Sequence, residues 1–346
     1  MRALGLTALG GIEHLALVTV PKPELVGPHD VRVRIRAAAL NHIDLFVAGG
    51  LPNANYQFPH IPGSDGAGVV DAVGSAVTSV RPGDAVLING GISCDHCPQC
   101  LAGEHSRCNT FSILGEHRNG TIAEYVVVPE VNLAPKPPEM PWPTAAAFSL
   151  VALTAWRMLA TRAQLKAGET VLVWGVGGGV AIASVQIARH LGARVIATSG
   201  SDAKLRVAEE LGAEVTVNHT SGDVVAAVRA ATGKAGADVI VDSVGEATWP
   251  RSLRALKRGG RLVVCGATSG PMVGLDARKL FWHQWSIFGS TMGNRAEYAA
   301  VVKLAAQGKL WPRVDRVVPL NEAVSAFQHL ASGEQQGKIV IEVSGE

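Results

Sequence analysis

Two periodicities divide the chain. Val31-Arg32-Val33-Arg34-Ile35-Arg36 alternates apolar and basic side chains, the period of a strand buried on one face. Residues 123–128 read as the end of another strand, followed by a proline-rich connector through Pro135, Pro137, Pro138, Pro141 and Pro143. Beyond it, short apolar runs are separated by helical stretches. Residues 171–174, 194–198, 215–217, 239–242 and 261–265 predict strands, and 180–191, 203–211, 223–231 and 248–256 predict helices. Alternating strand and helix implies right-handed crossovers and a parallel sheet covered on both faces. Helices near 296–306 and 322–330 and a strand at 338–343 complete the pattern.

Composition narrows the class. The 346 residues are enough for about two domains. With 47% hydrophobic residues, 17% charged residues and 39 glycines, the chain is globular rather than disordered. A net charge of +2 with no block of like charge argues against nucleic acid or an anionic membrane as the main partner. Residues 140–156 and 170–188 are uncharged, but prolines interrupt the first and glycines the second, so both read as core elements rather than membrane spans. The apolar stretch 3–12 is broken by Gly5, Gly10 and Gly11, and no cleavage signal follows it. The expectation is a soluble, cytoplasmic protein.

One loop carries a clear chemical signature. The run Val171-Leu172-Val173-Trp174 leads into Gly175-Val176-Gly177-Gly178-Gly179-Val180-Ala181 and then a helical segment. Glycines at a strand-to-helix turn let backbone approach a pyrophosphate, and the first N–H groups of the helix bind it. Gly175, Gly177, Gly178, Gly179 and Val180 are therefore candidate cofactor contacts. An acidic residue about 20 positions on would accept from a ribose 2′-hydroxyl. Here the sequence is Thr198-Ser199-Gly200-Ser201-Asp202-Ala203-Lys204. Ser199, Gly200 and Ser201 with the cationic Lys204 suit a 2′-phosphate, so NADP(H) is expected over NAD(H). The alternative leaves Lys204 solvated and gives the ribose to Asp202.

Four of five cysteines fall within fifteen residues, as Cys94-x2-Cys97-x2-Cys100-x7-Cys108. Four thiolates complete a tetrahedron around zinc and leave no position for water or substrate, so such an ion is structural. Disulfides and a redox Cys94/Cys97 pair are the competing readings; intracellular context opposes the first and the other two cysteines oppose the second. Cys265 reads as a small buried hydrophobe.

Taken together, these motifs resemble the medium-chain dehydrogenase/reductase superfamily, which includes zinc alcohol dehydrogenases and quinone oxidoreductases. The resemblance spans almost the whole chain. It includes Pro62-Gly63-Ser64-Asp65-Gly66-Ala67-Gly68, Arg81-Pro82-Gly83-Asp84, Gly120-Thr121-Ile122-Ala123-Glu124-Tyr125, Val241-Asp242-Ser243-Val244-Gly245 and Gly337-Lys338-Ile339-Val340. It implies an α/β fold: a GroES-like, mainly β catalytic domain over residues 1–147, completed by 292–346, and a Rossmann doubly wound parallel sheet over 148–291. It also implies an active site between them and a homodimer or homotetramer.

The resemblance has a gap. Alcohol-oxidising members hold a catalytic zinc, and the three ligand places correspond here to Asn41, Ser64 and about Leu150, with Ile43 where a proton-relaying hydroxyl would stand. Zinc-free quinone oxidoreductases carry Asn-x-x-Asp at this place, and this chain has Asn41-His42-Ile43-Asp44. Removing an alcohol proton needs a Lewis acid, whereas a quinone or enone spreads the charge left by hydride addition over a conjugated oxygen. The expected activity is NADPH-dependent reduction of a quinone or α,β-unsaturated carbonyl. By resemblance Asn41 bonds the nicotinamide or the substrate oxygen, Asp44 holds its loop, Thr154 lines the nicotinamide pocket, and His42, Gly266 and Lys338 join the cofactor contacts. Tyr56 is a candidate donor to a carbonyl. Asn41 and Asp44 acting only as a turn cap is the plain alternative. Two other readings compete: an alcohol dehydrogenase with a second metal on His42, His60, Asp65 or His117, and a non-catalytic NADPH-binding, crystallin-like protein.

Overall fold

The computed structural model describes residues 1–52 and 55–344. The chain forms two compact units: Met1–Leu150 with Asn294–Ala306 and Trp311–Glu346, and Val151–Gly293 with Gln307–Leu310. Among the described residues, no helix is long and apolar enough to cross a membrane.

The first unit is built on a mostly antiparallel sheet. Its spine is the strand Asp30–Ala39, in which Val31, Val33 and Ile35 are fully buried while Arg34 faces solvent. The alternation stops at Ala37, Ala38 and Ala39, all buried, because small side chains let both faces be covered there. One edge of this strand pairs with Asp65–Val73; the other pairs with Tyr125–Pro129 along its first half and with Lys338–Glu342 at its end. The C-terminal strand therefore completes a sheet begun some three hundred residues earlier. Val340 lies opposite Ala39, which brings Lys338 opposite Asn41, and Asp65 lies opposite Ala39 from the other side. Leu4, Ile35, Ile88, Ile122, Phe327 and Ile341 are part of the core on which these strands rest.

The second unit is a six-stranded parallel sheet. Its order is Val215–Asn218, Arg194–Ser199, Thr170–Val173, Ala237–Asp242, Leu256–Val264 and Ser286–Gly289. Numbered along the chain, that is the 3-2-1-4-5-6 order of doubly wound nucleotide-binding sheets, with the crevice beside the first strand. The fifth strand begins at Leu256, ahead of the expected 261, and carries a bulge: Leu256 pairs with Ala237 but Arg261 with Val239, the extra residues turning at Gly259 (φ 69°). The sixth strand and the helix Ala277–His283 before it have no clear period in the sequence.

Candidate active site

The glycine loop is where the second unit can take a dinucleotide. Gly178 caps the helix Gly179–His190, whose first-turn N–H groups lack intrahelical acceptors, as every helix start does. Gly175 and Gly177 have positive φ (70° and 146°), and a Cβ on Gly177 would sit 2.6 Å from Lys204 Cδ. The Lys204 side chain thus lies across the loop at Gly177. Ser199 ends the second strand and is buried, its Oγ accepting from Ser201 N–H at 3.3 Å; Gly200 is hemmed in by His219 and Thr220; Ser201 caps the helix Asp202–Glu210. Asp202 already accepts from Asn218 Nδ2 at 2.7 Å. Gly266 follows the fifth strand, where a Cβ would come within 3.1 Å of Ser243 O. Thr154, also in this unit, is buried with its hydroxyl 4.0 Å from Met292 Sδ. Positive-φ glycines leading into a helix start fit a pyrophosphate.

In the first unit, Cys94, Cys97, Cys100 and Cys108 bring their four sulfur atoms within 4.8 Å of one another. The Cys94–Cys100 and Cys97–Cys100 separations are 4.0 and 3.5 Å. A tetrahedral ion with bonds of about 2.3 Å needs sulfurs about 3.8 Å apart, so the cluster fits zinc. Cys94 N–H and the Thr110 hydroxyl lie 3.3 and 3.5 Å from Cys108 Sγ, the kind of outer contact that steadies a thiolate. Among the described residues no other group of His, Cys, Asp and Glu converges in this way. Cys265 is half-buried, and burial pushes its thiol up to about 12, which leaves it inert.

Asn41, Asp44, Asp65 and Lys338 meet at the end of the central strand. Asn41 is the N-cap of the helix His42–Gly49, and the Asp44 carboxylate reaches back to Asn41 N–H at 2.7 Å. Its other oxygen accepts from Gly63 N–H at 3.0 Å, tying helix to turn. Gly63 has φ 104°, and a Cβ there would strike Ile122 and Thr121 at 2.7 Å, so only glycine permits this approach. Burial pushes Asp44 up to about 7, against the lowering effect of the two N–H donors and of Lys338.

Asn41 Nδ2 donates to Asp65 Oδ2 at 2.9 Å, and Lys338 Nζ donates to Asn41 Oδ1 at 2.5 Å and to Asp65 Oδ2 at 2.9 Å. Asp65 Oδ1 accepts from Leu150 N–H at 2.8 Å, and the Ser64 hydroxyl is committed to Leu114 O at 2.8 Å. Lys338, expected among the cofactor contacts, is 3% exposed and bonded inside this cluster. The antiparallel register that puts it there could not be read from the local sequence. His42 is half-buried, its pKa lowered by burial and then by the Lys338 charge. Tyr56 packs its ring 4.5 Å from that of His60, and its hydroxyl is shielded with no partner among the described residues. His60 is buried against Gly115 O at 2.9 Å. A second polar pair, Ser149 Oγ and Tyr298 OH at 2.9 Å, lies buried nearby and was not singled out in the sequence.

Comparison with known proteins agrees with this anatomy. The family model of the alcohol dehydrogenase GroES-like domain matches residues 27–138, and that of the zinc-binding dehydrogenases matches residues 179–307. The quinone oxidoreductase of Lama guanicoe is 30% identical, over 99% of this chain and 97% of its own. A crystal structure described as an NAD-dependent alcohol dehydrogenase superposes with a TM-score of 0.96 at 46% identity, covering 99% of this chain and 100% of that one. A crotonyl-CoA carboxylase/reductase superposes at 0.92 with 26% identity, covering 99% and 88%. The chain is an oxidoreductase of the medium-chain dehydrogenase/reductase superfamily, of the alcohol dehydrogenase-like and quinone oxidoreductase-like kind.

Proposed function

We propose that this oxidoreductase reduces a quinone or α,β-unsaturated carbonyl with NADPH, without a catalytic metal, and carries one structural zinc. The observation behind the reading is the cluster at Asn41. The three places that resemble catalytic-zinc ligands hold an amide, a hydroxyl and an aliphatic residue. The amide is bonded to Asp65 and Lys338, the hydroxyl to Leu114 O, and Leu150 contributes its backbone N–H to Asp65. None of the three side chains offers a soft or imidazole donor.

A bound nicotinamide would supply the hydride. The chain's own groups then have definable tasks. The second Nδ2 hydrogen of Asn41 makes only a long bond, 3.5 Å to Ala39 O, which a substrate oxygen could replace. Such a donor stabilises an enolate or a semi-reduced quinone oxygen as charge develops there. Asp44 fixes the helix start that carries Asn41. The glycine loop and Lys204 would receive the phosphates. The preference for NADPH rests on Ser199 at the strand end, on Asp202 being engaged by Asn218, and on the cation at Lys204. The names of two relatives, a quinone oxidoreductase and a crotonyl-CoA reductase, belong to conjugated acceptors.

The opposing case comes from the relative at 46% identity, described as an NAD-dependent alcohol dehydrogenase. One experiment separates them: oxidation of NADPH and NADH against a para-quinone, a cyclic enone and a simple aldehyde, with zinc counted per chain. The proposal expects turnover of the first two, slow turnover of the aldehyde, and a loss of about 10²-fold in kcat in Asn41→Ala. Rapid NAD-linked oxidation of simple alcohols, or two zinc ions per chain, sinks it.

A further inference from the structure

We propose that Lys338 is a positioning residue that sets the orientation of the Asn41 carboxamide. The inference rests on the reading of Asn41 as a hydrogen-bond donor to substrate. An asparagine amide has two nearly isosteric orientations related by exchange of oxygen and nitrogen. A lysine ammonium only donates and a carboxylate only accepts. With Lys338 Nζ 2.5 Å from Oδ1 and Asp65 Oδ2 2.9 Å from Nδ2, the observed orientation satisfies both. The flipped one sets NH₂ against the ammonium and oxygen against the carboxylate.

Solvent cannot relieve that conflict, because Asn41, Lys338 and Asp65 are 8%, 3% and 0% exposed. Neither clamp can swing away easily. Asp65 is held by Leu150 N–H on its other oxygen and by Thr121 Oγ1 on its backbone carbonyl at 2.6 Å. Lys338 is held by the strand register and by its own bond to Asp65 at 2.9 Å. The consequence is chemical: a locked amide presents an N–H hydrogen to an incoming carbonyl, whereas a free one presents its oxygen for part of the time and repels it.

The test is Lys338→Met, measured with a para-quinone and an enone as acceptors. The expected result is a fall in kcat of about 10- to 100-fold, part of the effect of deleting the donor, with KM for NADPH changed less than about 2-fold. In an Asn41→Ala background the same substitution causes no further loss, since Lys338 acts only through that amide. Because Lys338→Met leaves Asp65 buried without its counter-ion, Lys338→Met/Asp65→Asn keeps the cluster neutral. Asparagine at 65 pairs with Asn41 in either orientation, so kcat falls comparably in a folded protein. A rise in KM for NADPH at unchanged kcat identifies Lys338 as a cofactor contact and overturns the proposal. Unchanged kinetics, or losses that multiply with Asn41→Ala, overturn it equally. Full activity in Asn41→Ala alone refutes the underlying role of Asn41, a distinguishable result.

Discussion

Asp44 makes a pH-dependent prediction whose size follows from its burial. The carboxyl is 1% exposed and accepts from Asn41 N–H and Gly63 N–H, yet burial pushes it from the ordinary 3.8 up to about 7. Between those values the native chain holds a proton that the unfolded chain has released, so stability falls as pH rises. The whole interval corresponds to about 4 kcal/mol at about 1.4 kcal/mol per pH unit. The part between pH 5 and pH 8.5 is about 3 kcal/mol. Asp44→Asn supplies the reference. At pH 5 the protonated acid and the amide are both neutral, and each offers one good acceptor oxygen to the two N–H groups, so the variants start near parity. From there the wild type should lose about 3 kcal/mol relative to Asp44→Asn on going to pH 8.5. Urea unfolding of both proteins at several pH values measures the difference, and the other titrating groups cancel. Stability profiles that stay parallel within about 0.5 kcal/mol would mean that Asp44 ionises as it does in water, and the reasoning fails.

Other predictions follow from separate parts of the molecule. Metal analysis should return about one zinc per chain, Cys100→Ser should abolish it, and a chelator should lower Tm while exposing four thiols to reagent, with Cys265 reacting only after unfolding. Ser199→Asp places a carboxylate at the ribose end of the second strand and should shift kcat/KM from NADPH toward NADH by at least about tenfold; an unchanged ratio excludes the 2′-phosphate role of that turn. Trp174 is buried and donates through Nε1 to Ser252 Oγ at 2.8 Å, and Ser252 donates to Asp242 Oδ2 at 3.1 Å. Trp174→Phe should destabilise the protein by about 2 kcal/mol in thermal unfolding, from lost volume and one lost bond.

The local signals were legible because each is contained in a short stretch of chain. The alternation at Val31-Arg32-Val33, the glycines after Trp174 and the four cysteines within fifteen residues each need only their neighbours to be read. What escaped depended on register or on tertiary packing. Lys338 meets Asn41 across 297 residues because the last strand pairs antiparallel with the spine. The fifth parallel strand starts at Leu256 because Gly259 absorbs a bulge, which apolar periodicity does not encode. The helix His42–Gly49 spans only two turns, too short for a period to emerge, and Asn41-x-x-Asp44 was the sole trace of its start. Ser149 and Tyr298 pair across 149 residues and left no sequence mark at all.

The charge arrangement at Asn41 bears on the proposal that this site takes a neutral, conjugated acceptor. Asp65 and Lys338 form a buried pair with no net charge, and Asp44 is close to half-protonated near neutral pH. A dication entering here would face the Lys338 ammonium directly and would have to displace it from both Asn41 and Asp65. Breaking a buried pair from one side leaves a charge uncompensated, which costs about 3–5 kcal/mol. A carbonyl oxygen asks for far less. On the proposed reading it would need only the second Nδ2 hydrogen of Asn41, its partial charge growing toward a donor oriented by Lys338 and Asp65. On the proposed reading, the same two side chains that would disfavour a metal would prepare the amide for hydride acceptors that can delocalise their own charge.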